Sequence, residues 1–290
     1  MSKSLIVTSD FTKEDLESIF DSAKSFKSNK ISEKHQGKII GLLFEKFSTR
    51  TRLSFEAAIS KLGANPIYIN KSDTQISRGE SIEETGKIFS LYLDALVYRT
   101  SNHKNLEEFS KFSSIPTINA LSDLEHPTQI ISDIFTIQNE NQSRKEIKDL
   151  KIVYLGDGNN IANSLNSIAE ILDLNLTICT PVGYEPKEMK YWKEDPFEAI
   201  SEADVVYTDV WTSMGSEGEE KKRIKDFKNY QVNSDLIKLA KKDYLFMHCL
   251  PAHIGEEVTQ EIIESANSII YKQAENKKYI AMGIIDFLLS

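Results

Sequence analysis

Glycine, proline and cysteine are scarce in this sequence: 12, 7 and 2 among 290 residues. That excludes collagen-like and low-complexity chains. Cys179 and Cys249 stand far apart, without the spacing of a disulfide framework or a metal knuckle, so a reduced, cytoplasmic protein is expected. Long apolar runs are missing as well. Stretches such as Ile39 to Phe44 fall far short of the roughly 20 residues that span a bilayer. Met1-Ser2-Lys3-Ser4 leads to only three apolar residues before Thr8, so no secretory signal is read there. There is no basic excess either. The net charge of −9 argues against a nucleic-acid binder, although a few focused cations would still suffice for a small anion. Arginine is rare, at six against 29 lysines. A chain that solvates itself with lysine keeps arginine for fork geometry, which lysine cannot supply. Arg50 and Arg52 lie almost side by side, the first pointer to a site.

What is present is a globular composition, 40% hydrophobic and 27% charged, long enough for about two domains. Leu16, Ile19, Phe20, Ala23 and Phe26 recur at helical spacing, with Thr12 and Asp15 placed for a capping box. Short apolar runs predict buried strands at Ile39–Phe44, Ile67–Ile69, Ala95–Tyr98 and Ile115–Ile118. Helical patterns lie between them at Arg52–Leu62, Ser81–Leu93 and Lys104–Phe112, and a longer one follows at Pro127–Asn139. The polar stretch Asn141 to Lys145 marks a boundary. The alternation then restarts, with strands expected at Ile152–Leu155, Leu176–Cys179, Val205–Thr208, Tyr244–His248 and Ser268–Tyr271. Helices are expected at Asn160–Leu172, Val232–Lys241, Thr259–Ser265 and Glu275–Leu289. The fold class is therefore α/β, two units with parallel sheets flanked by helices.

The conspicuous polar positions share one location, just beyond a predicted strand. They are Ser48 to Arg52, Arg99, His126, Asp157 to Asn160, Asp209, and His248 with Cys249. Ligands of open parallel sheets bind beyond the carboxyl ends of the strands. Ser48-Thr49-Arg50-Thr51-Arg52 enters a helix, where backbone N–H groups, hydroxyls and a guanidinium can cradle a phosphate; an ordinary N-cap with a solvated arginine is equally compatible. Gly156 and Gly158 suggest a dinucleotide loop, but Ile161 stands where the third glycine is needed, and a nicotinamide cofactor is rejected. His126 before Pro127 suits a helix start. Cys249 alone reads more readily as a small buried residue than as a nucleophile. The segment from Asp209 to Glu220, with Trp211 and Met214, reads as a closing flap or as a loop packed on its own domain.

Taken together, Phe44-Glu45-Lys46-x-Ser48-Thr49-Arg50-Thr51-Arg52, His126-Pro127-x-Gln129, Asp209-x-Trp211-x-Ser213-Met214-Gly215 and His248-Cys249-Leu250-Pro251 resemble the ornithine carbamoyltransferases, from about Ser9 to the carboxyl terminus. The first two motifs are also those of aspartate carbamoyltransferases; the last two are similar to the ornithine branch. The resemblance implies a carbamoyl-phosphate-binding domain at 1–139 completed by a C-terminal helix at 273–290, and an ornithine-binding domain at 140–272. It implies transfer of a carbamoyl group from carbamoyl phosphate to the δ-amine of L-ornithine, giving L-citrulline and phosphate in arginine biosynthesis or breakdown. No metal or organic cofactor is implied. A homotrimer with shared active sites is implied, with no nucleic-acid or membrane partner.

By the same resemblance, Ser48, Thr49, Arg50 and Thr51 hold the phosphate, and Arg99 bridges phosphate and carbonyl oxygen. His126 donates to that oxygen, while Gln129 and the Leu250 carbonyl take up the carbamoyl amino group. Gln75 reaches the neighbouring subunit's site. Asn160, Ser213 and Met214 hold the α-carboxylate and α-amino groups of ornithine, with Asp209 and Cys249 near its δ-amine. Two departures stand out. Lys277 occupies the place of the family's arginine on carbamoyl phosphate, and the stretch from Pro181 to Asp204 is short. The alternatives are a transferase for another amine such as putrescine, or a carbamoyl-phosphate-binding homologue without catalysis.

Overall fold

The computed structural model describes residues 3–28, 33–143, 145–212 and 218–290. The chain divides into two compact units, Met1–Ser132 with Glu275–Ser290, and Asp133–Ala274.

The first unit holds strands β1 (Ile39–Phe44), β2 (Asn65–Asn70), β3 (Ala95–Arg99) and β4 (Thr117–Leu121). All pair in parallel, in the order β2-β1-β3-β4. The inner strands β1 and β3 are buried almost throughout. A strand covered by helices on both faces has no polar side to show, so its sequence is a continuous apolar run. Pro66 lies in β2, at the sheet edge, where its missing N–H disrupts no inner ladder. The helix Lys13–Lys27 starts at the expected capping box: Asp15 N donates to Thr12 Oγ1 at 3.2 Å, and Thr12 N donates to Asp15 Oδ2 at 2.8 Å. The last helix, Ile270–Leu289, packs on this unit as anticipated, burying Ile280, Met282, Ile284 and Ile285. Gly283 permits the close approach. A Cβ there would sit 2.7 Å from the Ile19 carbonyl oxygen of the first helix.

The second unit holds β5 (Ile152–Leu155), β6 (Leu176–Cys179), β7 (Trp192–Lys193), β8 (Val205–Thr208) and β9 (Leu245–His248), all parallel, in the order β7-β6-β5-β8-β9. The two-residue β7 was not foreseen. Ser268–Tyr271 is not a strand. Ser268 makes one isolated bridge to Phe246, and Gln273 N already donates to Ile269 O at 2.9 Å, a helical bond. The apolar run there opens the last helix, since short runs do not distinguish a strand from a buried helical turn. Likewise the helical pattern at Val232–Lys241 yields only the single turn Ser234–Ile237. No helix among the described residues is long and apolar enough to cross a membrane.

Candidate active site

In the first unit the singled-out residues gather at the carboxyl ends of the strands. β1 leads through residues 45–49 into the helix Arg50–Lys61, which puts Ser48, Thr49, Arg50 and Thr51 at a helix start. Thr51 is buried, whereas Thr49 and Arg50 are exposed. Arg99 ends β3 and is buried. Burial, then the like charge of Arg50, pushes its guanidinium down to about 10. Both effects oppose the charged form, and an anion placed against the two arginines would relieve both.

His126 sits where the chain turns from β4 into the helix Pro127–Glu140. A polar frame fixes that turn. Ser122 N donates to Glu125 O at 2.9 Å, and the Glu125 carboxylate accepts from Thr8 N at 2.8 Å. Burial, followed by the charges of Lys277 and Arg99, holds His126 far below its ordinary value. The ring is therefore neutral at pH 7 and able to donate one N–H to a developing oxyanion. Lys277 reaches the same place from the last helix. Its Nζ donates to Gln129 Oε1 at 2.6 Å and lies 3.4 Å from Thr51 Oγ1. Gln75 lies apart and exposed, in the short 3-10 turn Gln75–Arg78. Among the described residues it makes no hydrogen bond or ion pair to this cluster.

In the second unit the centre is Asp209, buried just beyond β8. Its Oδ1 accepts from Cys249 Sγ at 2.8 Å and from Val210 N at 2.8 Å, and its Oδ2 accepts from Asn159 Nδ2 at 3.1 Å. Asn159 also caps the helix Asn160–Leu172 by accepting from Ile161 N, so one side chain aligns the helix start and the carboxylate. Asn160 is half-buried at the first helical position. Leu250 follows Cys249 in the left-handed region, φ 57°, with a cis bond to Pro251. A non-glycine residue there costs on the order of 1–2 kcal/mol, so neighbouring contacts must hold it. Ser213 and Met214 lie outside the described residues.

Asn159 was not singled out for this role, although an Asn before a helical pattern is a preferred N-cap. Arg223 was missed too, despite belonging to the six scarce arginines. It pairs with Asp157 at 2.9 Å and donates to the Trp211 carbonyl at 2.8 Å, tying together the loops after β5 and β8. Gly158 lets this corner close, because a Cβ there would lie 2.3 Å from the Glu185 backbone.

The Lys277 contacts give one expected result. Lys277→Arg keeps the charge and restores a planar fork, so a second oriented bond, worth about 1 kcal/mol net, becomes available. If Lys277 holds carbamoyl phosphate, as the resemblance implies, the variant lowers the KM for carbamoyl phosphate a few-fold and leaves the ornithine KM unchanged. Steady-state kinetics check this, and no change in either constant would remove Lys277 from the site.

Residues 3–139 match the family described as aspartate/ornithine carbamoyltransferase, carbamoyl-P binding domain, and residues 148–288 match its Asp/Orn binding domain. The chain belongs to the aspartate/ornithine carbamoyltransferase family of enzymes. Within it, the chain stands with the ornithine carbamoyltransferases. It is 43% identical to an ornithine carbamoyltransferase of Pyrococcus horikoshii, covering 99% of this chain and 96% of that one. It is 45% identical to the catabolic ornithine carbamoyltransferase of Thermoplasma volcanium, covering 96% of each. The solved ornithine carbamoyltransferase of Pyrococcus furiosus superposes with a TM-score of 0.93 at 42% identity, over 99% of this chain and 96% of that one; the anabolic enzyme of that organism is also 42% identical.

Proposed function

We propose that this chain transfers the carbamoyl group of carbamoyl phosphate to the δ-amine of L-ornithine, forming L-citrulline and phosphate. The observation that carries the reading is the cluster in the first unit. Buried Arg99 is accompanied by the charge of Arg50, neutral His126 adjoins the charges of Arg99 and Lys277, and Gln129 is hydrogen-bonded to Lys277. A carbamoyl phosphate presents a doubly charged phosphate, a carbonyl and an amide-like NH2, and this set has a partner for each. Ser48, Thr49, Arg50, Thr51 and Arg99 take the phosphate. Thr51, Arg99 and His126 donate to the carbonyl oxygen, and Gln129 with the Leu250 carbonyl accepts from the NH2. The ornithine amine attacks the carbonyl carbon, the carbon–oxygen bond to phosphate breaks, and the proton lost from the nitrogen passes to the departing phosphate. Donors already aimed at the carbonyl oxygen stabilise it most when its charge is greatest. On the acceptor side, Asp209 offers a carboxylate to the amine, and Asn160, Ser213 and Met214 are assigned the amino-acid end.

Cys249 acts by position in this scheme. Its thiol donates to Asp209, so it is held as a hydrogen-bond donor and no covalent intermediate is required. Cys249→Ser is expected to remain active with mainly a raised ornithine KM. A carbamoyl thioester trapped on the wild type and seen by mass spectrometry would overturn this. Arg50→Ala removes a charge-assisted phosphate contact worth roughly 1.5–3 kcal/mol. It should lower kcat/KM for carbamoyl phosphate by about tenfold or more, and wild-type kinetics would remove Arg50 from the phosphate site.

The same reading places the enzyme in arginine metabolism and in the cytoplasm, as a homotrimer in which Gln75 serves a neighbouring copy. Exposed Phe47, Leu91 and Tyr92 on the first unit support self-association, and a sedimentation mass of one chain would count against it. The deciding experiment is a colorimetric citrulline assay on purified protein, with putrescine in parallel. Citrulline from ornithine is expected. Faster turnover of putrescine would transfer the assignment to that amine, and no ureido product from either would leave a binding protein.

A further inference from the structure

We propose that His248 and Glu257 form a brace that aims the Leu250 carbonyl at the carbamoyl amino group and the Cys249 thiol at Asp209. The proposal rests on the reading that this carbonyl receives that amino group. His248 ends β9 and is wholly buried. Its Nδ1 accepts from Leu250 N at 2.8 Å. A ring nitrogen that accepts carries no proton, so the proton lies on Nε2, which faces Glu257 Oε1 at 2.9 Å. The other tautomer would set two N–H groups against each other at Leu250. Glu257 is also wholly buried, and its Oε1 accepts from His253 N at 2.6 Å as well. Its Oε2 has no hydrogen-bond partner among the described residues. A carboxylate kept in the core with one oxygen unserved is costly, and what it obtains there is the fixed tautomer of His248 and the fixed chain at His253. From the other side, His248 N donates to Gln273 Oε1 at 3.0 Å, and Gln273 Nε2 donates to buried Asp133 at 2.9 Å, which also accepts from Tyr207 Oη at 2.7 Å.

The brace explains a backbone feature that the motif alone leaves open. Leu250 occupies the left-handed region, which a leucine avoids unless neighbouring contacts over-determine it. The bond from its N–H to the ring two residues back supplies such a contact, in the manner of an Asx turn, where a side-chain acceptor holds the N–H two positions on. Cys249 lies between the two ends of that bond, so its thiol direction is set by the same closure. His248 touches no reacting atom in this scheme. It is a positioning residue.

Two variants separate its ring nitrogens. His248→Asn keeps an acceptor within reach of the Leu250 N–H and gives up Glu257. His248→Gln reaches toward Glu257 and gives up the short acceptor. Kinetics are measured against carbamoyl phosphate, with inorganic phosphate as a competing inhibitor that lacks the amino group. Losing the Leu250 bond is expected to lower kcat/KM for carbamoyl phosphate about tenfold in the Gln variant, while restoring it keeps the Asn variant within about threefold of wild type. The inhibition constant of phosphate should stay within about twofold in both, because phosphate makes no use of the Leu250 carbonyl. Equal losses in the two variants, or phosphate binding that weakens in step with carbamoyl phosphate, would overturn the brace. If the Gln variant does not fold, the Asn variant decides alone, and a tenfold loss there is fatal to the idea. A wild type that makes no citrulline would instead overturn the underlying reading, an outcome visible before any variant is made.

Discussion

Arg99→Ala is expected to reduce kcat/KM for carbamoyl phosphate by about 100-fold or more, with most of the loss in kcat. Arg99 is buried at the end of β3, and it is assigned both the phosphate and the carbonyl oxygen. Removing one donor from an oxyanion site commonly costs about 10²–10³ in kcat, and a charge-assisted phosphate bond adds roughly 1.5–3 kcal/mol. Because burial and Arg50 already oppose its charge, the alanine variant should fold at least as readily as the parent without ligand. Protection by carbamoyl phosphate against thermal unfolding should largely vanish in the variant. Arg99→Lys is the companion. It retains a charge but loses the fork, and it should fall between wild type and alanine. An alanine variant within about tenfold of wild type would remove Arg99 from the carbonyl oxygen.

The second large effect is expected at Asp209. Its carboxylate gathers Cys249, Val210 and Asn159 and is assigned the acceptor amine. Asp209→Asn keeps the shape and removes the charge. It also turns one acceptor into a donor, which must then face the Asn159 amide or the Cys249 thiol. The lost charge-assisted contact alone, about 1.5–3 kcal/mol, raises the ornithine KM roughly 10- to 150-fold. The KM for carbamoyl phosphate should hardly move, since those residues belong to the other unit. A parallel rise in both constants would mean that Asp209 supports the fold and not the acceptor.

The sequence was most informative where the sheets are buried on both faces. β1, β5, β3 as far as Tyr98 and β8 as far as Tyr207 are apolar runs, so their ends are sharp and the polar residues just beyond them are conspicuous. Arg99 and Asp209 were legible for that reason, and His126 through the helix start that Pro127 marks. β7 has only two residues, Trp192 and Lys193, and offers no run to detect. Ser268–Tyr271 misled because β-branched residues bury equally well in the first turn of a helix. Asn159 and Arg223 act on other site residues from positions that pattern reading treats as a cap and a solvated charge. The bonds of Lys277 to Gln129 and Thr51 join residues more than a hundred positions apart, and only folding brings them together.

The first unit is interrupted. Its sheet and first helices come from Met1–Ser132, yet it is completed by Glu275–Ser290, while the second unit is one unbroken stretch. During synthesis, which proceeds from the amino terminus and lets domains fold as they emerge, the second unit has its whole sequence before the first does. The last helix contributes buried Ile280, Ile284 and Ile285 and the Lys277 ammonium. Until residues 275–290 leave the ribosome, the part made before Asp133 has an uncovered apolar face and an unfinished cationic cradle. A premature stop after Ala274 would thus spare the second unit's sequence entirely and still deprive the first of both its cover and its lysine.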